Sequence, residues 1–245
     1  VTAPRVRQLR GVEAITAALD AGRPLGLLLV RDDAGDPAQA ALVERARAQG
    51  VPIRVASASV LRRMTSVGEP SPLLALEGRD PSTPLDGVLA LGGALWLLLG
   101  IAYPTNAGVA IRTAEGSGAS GVVVDASWDH QARRAALRAS MRADWYMPVF
   151  WEPAAPTIAR ARAHGHRIFA LENTGKRAPW DLDLRDPALF IIGGESHGIP
   201  DAVLAECDDV IRIPMAGFIP SYNLQIALGV VATERLRQLA STDRP

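Results

Sequence analysis

The sequence predicts an α/β protein: a parallel sheet with helices on both faces, preceded by a smaller α/β unit. Three observations carry that expectation. Apolar runs that read as strands recur along the chain, and 189–193 is apolar throughout, like a strand buried on both faces. Helical segments stand between those runs, so strand and helix alternate. A stretch rich in Pro, Gly and Asp, 78–87, separates this regular part from what precedes it.

In the N-terminal part, 12–21 has the pattern of an amphipathic helix, 25–30 of an apolar strand, and 38–49 of a helix stopped by Gly50. Strands are expected at 52–56 and 73–76, with a short helix at 59–64 between them. These divisions give a first domain over 1–77, a linker over 78–90 and a larger domain over 91–245. The larger part opens with a strand at 95–99, Asn106 as a helix cap, and a helix over 108–115. A strand at 121–125, an Arg-bearing helix at 129–143 and a strand at 147–151 follow. A helix at 156–164, strands at 167–171 and 189–193, and a short helix at 200–205 come next. The last stretch begins as a strand at 210–213 and turns at Pro214. Ser221 is then expected to open a long helix with Leu224, Leu228 and Val231 on its apolar face.

Composition narrows the function. Apolar residues make up 48% of the 245, and formal net charge is zero, which argues against a strongly basic nucleic-acid wrapper but not against local basic patches. No apolar run is long enough to span a membrane, and no leader segment is visible, so a cytoplasmic location is expected. Cys207 is the only cysteine, which excludes an internal disulfide or a cysteine-cluster metal site. Its four histidines lack the spacing of a zinc motif, so no metal is expected.

Gly116–Gly121, G-S-G-A-S-G, fits the dinucleotide fingerprint in letters only. That fingerprint needs a strand before and a helix after, and here the order is reversed. The glycines therefore read as a helix stop. Three other stretches could carry chemistry. In P-T-N-A-G-V-A-I-R-T-A (104–114), Asn106 and Arg112 stand on one helix, where Arg112 taken alone is a surface arginine. In F-I-I-G-G-E-S-H-G-I-P (190–200), Gly193 and Gly194 allow a ligand to approach the backbone at a strand's carboxyl end, and Glu195 stands beside them. In the stretch 211–234, Ser221 and Asn223 lie at a helix N-terminus, either as caps or facing a ligand.

In this order, the three stretches resemble the SpoU/TrmH family of RNA ribose methyltransferases, of the SPOUT superfamily. The family pattern runs N-x-G-x-x-x-R-T-A, then G-x-E-x-x-G-[LI]-[PS], then I-P-M-x-G … S-x-N-[VL]-x-x-A … E. The chain matches it at Asn106, Gly108, Arg112, Thr113 and Ala114; at Gly193, Glu195, Gly198, Ile199 and Pro200; and from Ile213 to Glu234. A weaker match is L-R-A-S-M-R-A (137–143). The N-terminal part resembles, more diffusely, the small substrate-binding domain of the ribosomal-RNA branch, itself similar to ribosomal proteins that bind RNA kink-turns.

The resemblance implies a deep trefoil knot in the C-terminal part of the sheet, a homodimer, and S-adenosylmethionine bound within the knot. It implies transfer of a methyl group to a ribose 2′-hydroxyl, in ribosomal RNA rather than transfer RNA. Leu171, Gly193, Gly194, Ile213, Met215, Ser221, Tyr222 and Leu224 would hold the cofactor. Arg112 would act on the hydroxyl, with Asn106, Glu195, Ser221 and Asn223 around it. A guanidinium hardly loses its proton, so Arg112 suits an electrostatic clamp better than a base, and both roles stay open. RNA phosphates would be met by Arg5, Arg7, Arg10, Arg62, Arg63, Arg133, Arg134, Arg138 and Arg142. Three positions depart from the family: Tyr103 replaces an acid, Arg142 a Gly and Tyr222 a Leu. The competing readings are an inactive RNA-binding protein on the same fold and a nucleotide-dependent oxidoreductase.

Overall fold

The computed structural model describes residues 7–32, 36–65, 70–195 and 197–242. Two compact units divide the chain, Pro4–Ser82 and Thr83–Pro245, the latter together with Val1–Ala3.

The first unit contains β1 (Arg7–Arg10), α1 (Gly11–Asp20), β2 (Leu25–Arg31), α2 (Pro37–Ala48), β3 (Ile53–Ala56), α3 (Ala58–Met64) and β4 (Leu73–Glu77). Its sheet runs β1-β4-β2-β3, with β2 and β3 parallel and β4 antiparallel to both its neighbours. Ile15, Ala18 and Leu19 of α1 and Leu42 and Ala46 of α2 form its core with Leu28 and Leu73. Asp36 caps α2 by accepting a bond from Ala38 N at 2.9 Å, ahead of Pro37 in the first turn.

The second unit contains α4 (Leu85–Leu91), β5 (Ala94–Leu99), α5 (Pro104–Gly116), β6 (Gly121–Asp125), α6 (His130–Ala139), β7 (Val149–Phe150) and α7 (Ala154–Ala163). It continues with β8 (Arg167–Leu171), β9 (Ala188–Gly193), α8 (Asp201–Leu204), β10 (Asp209–Ile211) and α9 (Leu224–Thr242). All six strands are parallel, in the order β10-β8-β9-β5-β6-β7. Side chains alternate along each strand, so the two faces bury separate cores. On one face Trp96, Phe190 and Phe169 stack across neighbouring strands, with centroids 4.9 and 5.4 Å apart, under α5 and α9. On the other, Leu97, Ile191 and Ala170 pack against α4 and α7.

Three expectations are corrected and one strand is added. The second half of the stretch read as a linker, 78–90, is helix α4, whose Leu85, Val88 and Leu89 are buried against the sheet. Arg7–Arg10, to which the sequence pattern assigns no element, is an edge strand paired with β4. Asn106 does not cap α5, because Pro104 starts that helix two residues earlier and leaves Asn106 inside its first turn. Ser221 does not open α9, which begins at Leu224. The Asn223 carbonyl accepts the first bonds, from Ile226 N at 2.9 Å and Ala227 N at 3.1 Å, so Ser221 and Tyr222 remain in the loop. The glycine run 116–121 ends α5, with Gly118 at positive φ and Ala119 N bonded to Ala114 O.

Candidate active site

A cavity of about 480 Å³ opens at the carboxyl ends of β8, β9 and β10. Parallel strands place such crevices where the following loops diverge. The loop after β9 forms its floor. Gly193 and Gly194 are demanded by close approach: a Cβ on Gly194 would stand 2.1 Å from the Gly100 carbonyl oxygen, and one on Gly193 2.4 Å from the Gly198 backbone. Gly194 N donates to Leu99 O at 2.8 Å and Gly198 N to Gly194 O at 3.1 Å, closing a tight turn. Glu195 projects from that turn toward α5, where Asn106 Nδ2 donates to its Oε1 at 2.5 Å and Ala102 N to its Oε2 at 3.4 Å.

The walls are tied by two residues that sequence reasoning passed over. Glu172, directly after β8, accepts Ile199 N on Oε1 at 2.8 Å and so pins the loop after β9. Asn173 Nδ2 donates to Pro220 O at 2.5 Å and pins the loop before α9. Their one signal in the sequence was a pair of polar residues closing an apolar strand at a carboxyl edge.

Leu171, Gly193, Gly194, Ile213, Met215, Ser221, Tyr222 and Leu224 all line this cavity, together with Asn106, Glu195 and Asn223. Ile192, Gly198, Ile211 and Ala227 complete it with Glu172 and Asn173. Arg112 does not: it lies exposed on α5, on the outer stripe with Thr105 and Val109. Two carboxylates therefore line the cavity and, among the described residues, no Lys, Arg or His does. Such a lining suits a ligand carrying positive charge and offers no cationic side chain to a pyrophosphate. It fits the sulfonium and ammonium groups of S-adenosylmethionine, and the volume falls within the usual range for small-molecule sites.

The arginines expected to meet RNA stand elsewhere. Arg7 and Arg10 are exposed on β1, Arg62 and Arg63 on α3, and Arg134 and Arg138 on α6, while Arg133 of α6 is half-buried. Arg142 pairs with Asp144, Nε to Oδ1 at 3.0 Å and Nη2 to Oδ2 at 2.8 Å. Arg5 lies outside the described residues. Among the described residues no group of three or more His, Cys, Asp or Glu could hold a metal ion, and no helix is long and apolar enough to cross a membrane.

A family model described as the SpoU rRNA Methylase family matches residues 95–233. An uncharacterized tRNA/rRNA methyltransferase of Mycobacterium ulcerans is 32% identical over 205 residues, which are 80% of this chain and 65% of that protein. The 23S rRNA (guanosine-2′-O-)-methyltransferase RlmB of Pseudomonas syringae is 29% identical over 152 residues, 62% of this chain and 61% of that one. The chain thus spans less than two thirds of the length of these relatives. In fold it is similar to the AdoMet-bound rRNA methyltransferase of Sinorhizobium meliloti (TM-score 0.60, 24% identity, 96% of this chain and 88% of the other). It is also similar to the SpoU methyltransferase AviRb of Streptomyces viridochromogenes in complex with AdoMet (TM-score 0.58, 23% identity, 96% and 91%).

Proposed function

Because the chain belongs to the SpoU rRNA Methylase family, we propose that it transfers a methyl group from S-adenosylmethionine to a ribose 2′-hydroxyl of RNA. The observation that carries this reading is the cavity's lining, acidic and without a cation, beside the hydrogen-bonded pair of Asn106 and Glu195. It also disfavours the oxidoreductase, whose dinucleotide brings negative charge into the site. Ribosomal RNA is preferred to transfer RNA on the name of the Pseudomonas relative, and a cytoplasmic place of action belongs to the same reading.

The cofactor supplies an electrophilic methyl group on a good leaving group. What remains for the chain is to bring the hydroxyl into line and to assist the loss of one proton. Glu195, fixed by Asn106 and Ala102 N, is an acceptor for that hydroxyl at the cavity mouth. Ser221 and Asn223 supply hydrogen bonds from the opposite wall. Arg112 keeps its proton and acts as the clamp for developing oxyanion charge. Since it stands outside its own chain's cavity, this role is filled by Arg112 of the partner subunit in a homodimer. Exposed apolar side chains on and beside the two packed helices, Val109 on α5 and Phe218 and Ile226 before and on α9, support that assembly. The chain segment from β8 to α9 is read as threaded into the trefoil knot.

Calorimetric titration with S-adenosylmethionine tests the reading. The intact chain is expected to bind in the micromolar range and an Asn223→Ala variant to lose that binding. No binding by the intact chain, with or without RNA, would leave the inactive RNA-binding reading in front.

A further inference from the structure

The carboxyl edge that holds the cavity carries a second cluster, which the methyl-transfer chemistry leaves unused. Trp128 follows β6 and Trp151 follows β7, and their ring centroids lie 6.2 Å apart at an interplanar angle of 53°. Arg133, in the first turn of α6, places its guanidinium carbon 5.2 Å from the Trp151 ring centroid. Its Nε is shut off from solvent and meets no acceptor. Helix α6, H-Q-A-R-R-A-A-L-R-A, contains no acid, and Arg134 and Arg138 stand one turn apart on its exposed side.

Nearby carboxylates are already engaged. Asp129 caps α6 by accepting Ala132 N at 2.8 Å, Asp125 accepts Ala154 N at 2.8 Å, and Glu152 pairs with Arg160 at 2.7 Å. Among the described residues no carboxylate pairs with Arg133, Arg134 or Arg138. The surface here is therefore positively charged beside two half-buried tryptophans that also pack against the sheet's core. The strand order β9-β5-β6-β7 sets its distance from the cavity. Two to three strand spacings separate β9 from β6 and β7, roughly 10–14 Å along the same edge.

We propose that Trp128, Trp151 and Arg133 form a stacking site for one unpaired base of the RNA, beside the nucleotide whose ribose is presented to the cavity. Arg134 and Arg138 then hold the flanking phosphates. The proposal rests on the methyltransferase reading for its choice of target. RNA is favoured over an acidic protein because indole and guanidinium planes stack on bases, whereas an acidic chain needs the charges alone. An arginine lying on a tryptophan already presents such a plane, held before the base arrives.

The test uses the full chain and two fluorescently labelled probes of equal length, a short single-stranded oligoadenylate and an abasic ribose-phosphate chain. Anisotropy titrations are expected to show about tenfold tighter binding of the base-bearing probe. Trp128→Ala should erase that preference and leave the abasic affinity within about twofold, while Trp128→Phe, which keeps a ring, retains most of it. Arg134→Ala with Arg138→Ala should weaken both probes alike, and flatten the dependence of log affinity on log salt by about 0.7 per arginine. A Trp128→Ala variant that still prefers bases overturns the proposal. So does an intact chain that binds both probes, or heparin, equally well, which would point to a general polyanion or acidic-protein surface. S-adenosylmethionine titrated in parallel separates the two levels: cofactor binding with base-blind RNA binding sinks only the stacking site, whereas absence of cofactor binding sinks the methyltransferase reading.

Discussion

Glu195 accepts from Asn106 Nδ2 and from Ala102 N, so its carboxylate is held by two donors on one side and leaves lone pairs toward the cavity. Replacing it with Gln keeps the shape and removes the charge. Glu195→Gln is expected to lower the methyl-transfer rate roughly 10²-fold or more, with cofactor affinity within about threefold. Single-turnover kinetics beside calorimetry would check this, and an equal loss of cofactor affinity would make Glu195 a binding group instead. Backbone strain is local too. Met141 and Arg142 have φ of 56° and 62°, a conformation that costs a side chain about 1–2 kcal/mol. The exposed pair with Asp144 and the Trp145 ring under Arg142 return only part of that. Arg142→Gly should therefore stabilise the chain by about 0.5–1 kcal/mol in urea unfolding. A loss would mean that the ion pair outweighs the strain. His166 is buried, and that burial, helped by His164, holds its pKa below the usual value. The unfolded chain takes up this proton first, so stability should fall as pH drops through about 6.5 and level off below the folded value. His166→Phe should blunt that decline.

At the scale of elements, α5 is positioned by Gly108, where a Cβ would stand 2.4 Å from Ala136 O and 2.5 Å from Ala139 Cβ of α6. Gly108→Ala must part the two helices. It is expected to cost about 1–3 kcal/mol and to move Asn106 away from Glu195, lowering the methyl-transfer rate more than cofactor affinity. A variant with unchanged rate would show that α5 can shift without the pair. Strands β5, β6, β8 and β9 were legible because burial on both faces makes them apolar, save Asp125 at the end of β6 and Arg167 at the start of β8. Strand β1, R-Q-L-R, was not, since an edge strand of four residues needs only Leu9 to be apolar. Helix α4 hid among turn-forming residues. The glycines and Glu195 of the site were legible as a motif at a strand end. The clamps made by Glu172 and Asn173 were not, because their partners Ile199 and Pro220 stand 27 and 47 residues away. Only the order of strands brings them together.

Over the whole molecule, every residue lining the cavity belongs to the second unit, while Arg7, Arg10, Arg62 and Arg63 belong to the first. Each unit has its own core. A chain cut to residues 83–245 is thus expected to keep cofactor affinity within about twofold and to lose RNA affinity most at low salt. Unchanged RNA binding would remove the first unit from the substrate's path. The sheet order has another consequence, for synthesis. Strand β5 pairs with β6, which follows it closely, but its other edge is filled only by β9, Leu99 lying opposite Gly193. On the ribosome that edge stays open while about 90 further residues are made, on the order of 5–20 s at ordinary elongation rates. During that interval an apolar strand, A-L-W-L-L-L, offers unpaired backbone to any neighbour. Chains that end before Ala188 are therefore expected to aggregate where the full chain stays soluble, which a series of truncations compared by sedimentation would check.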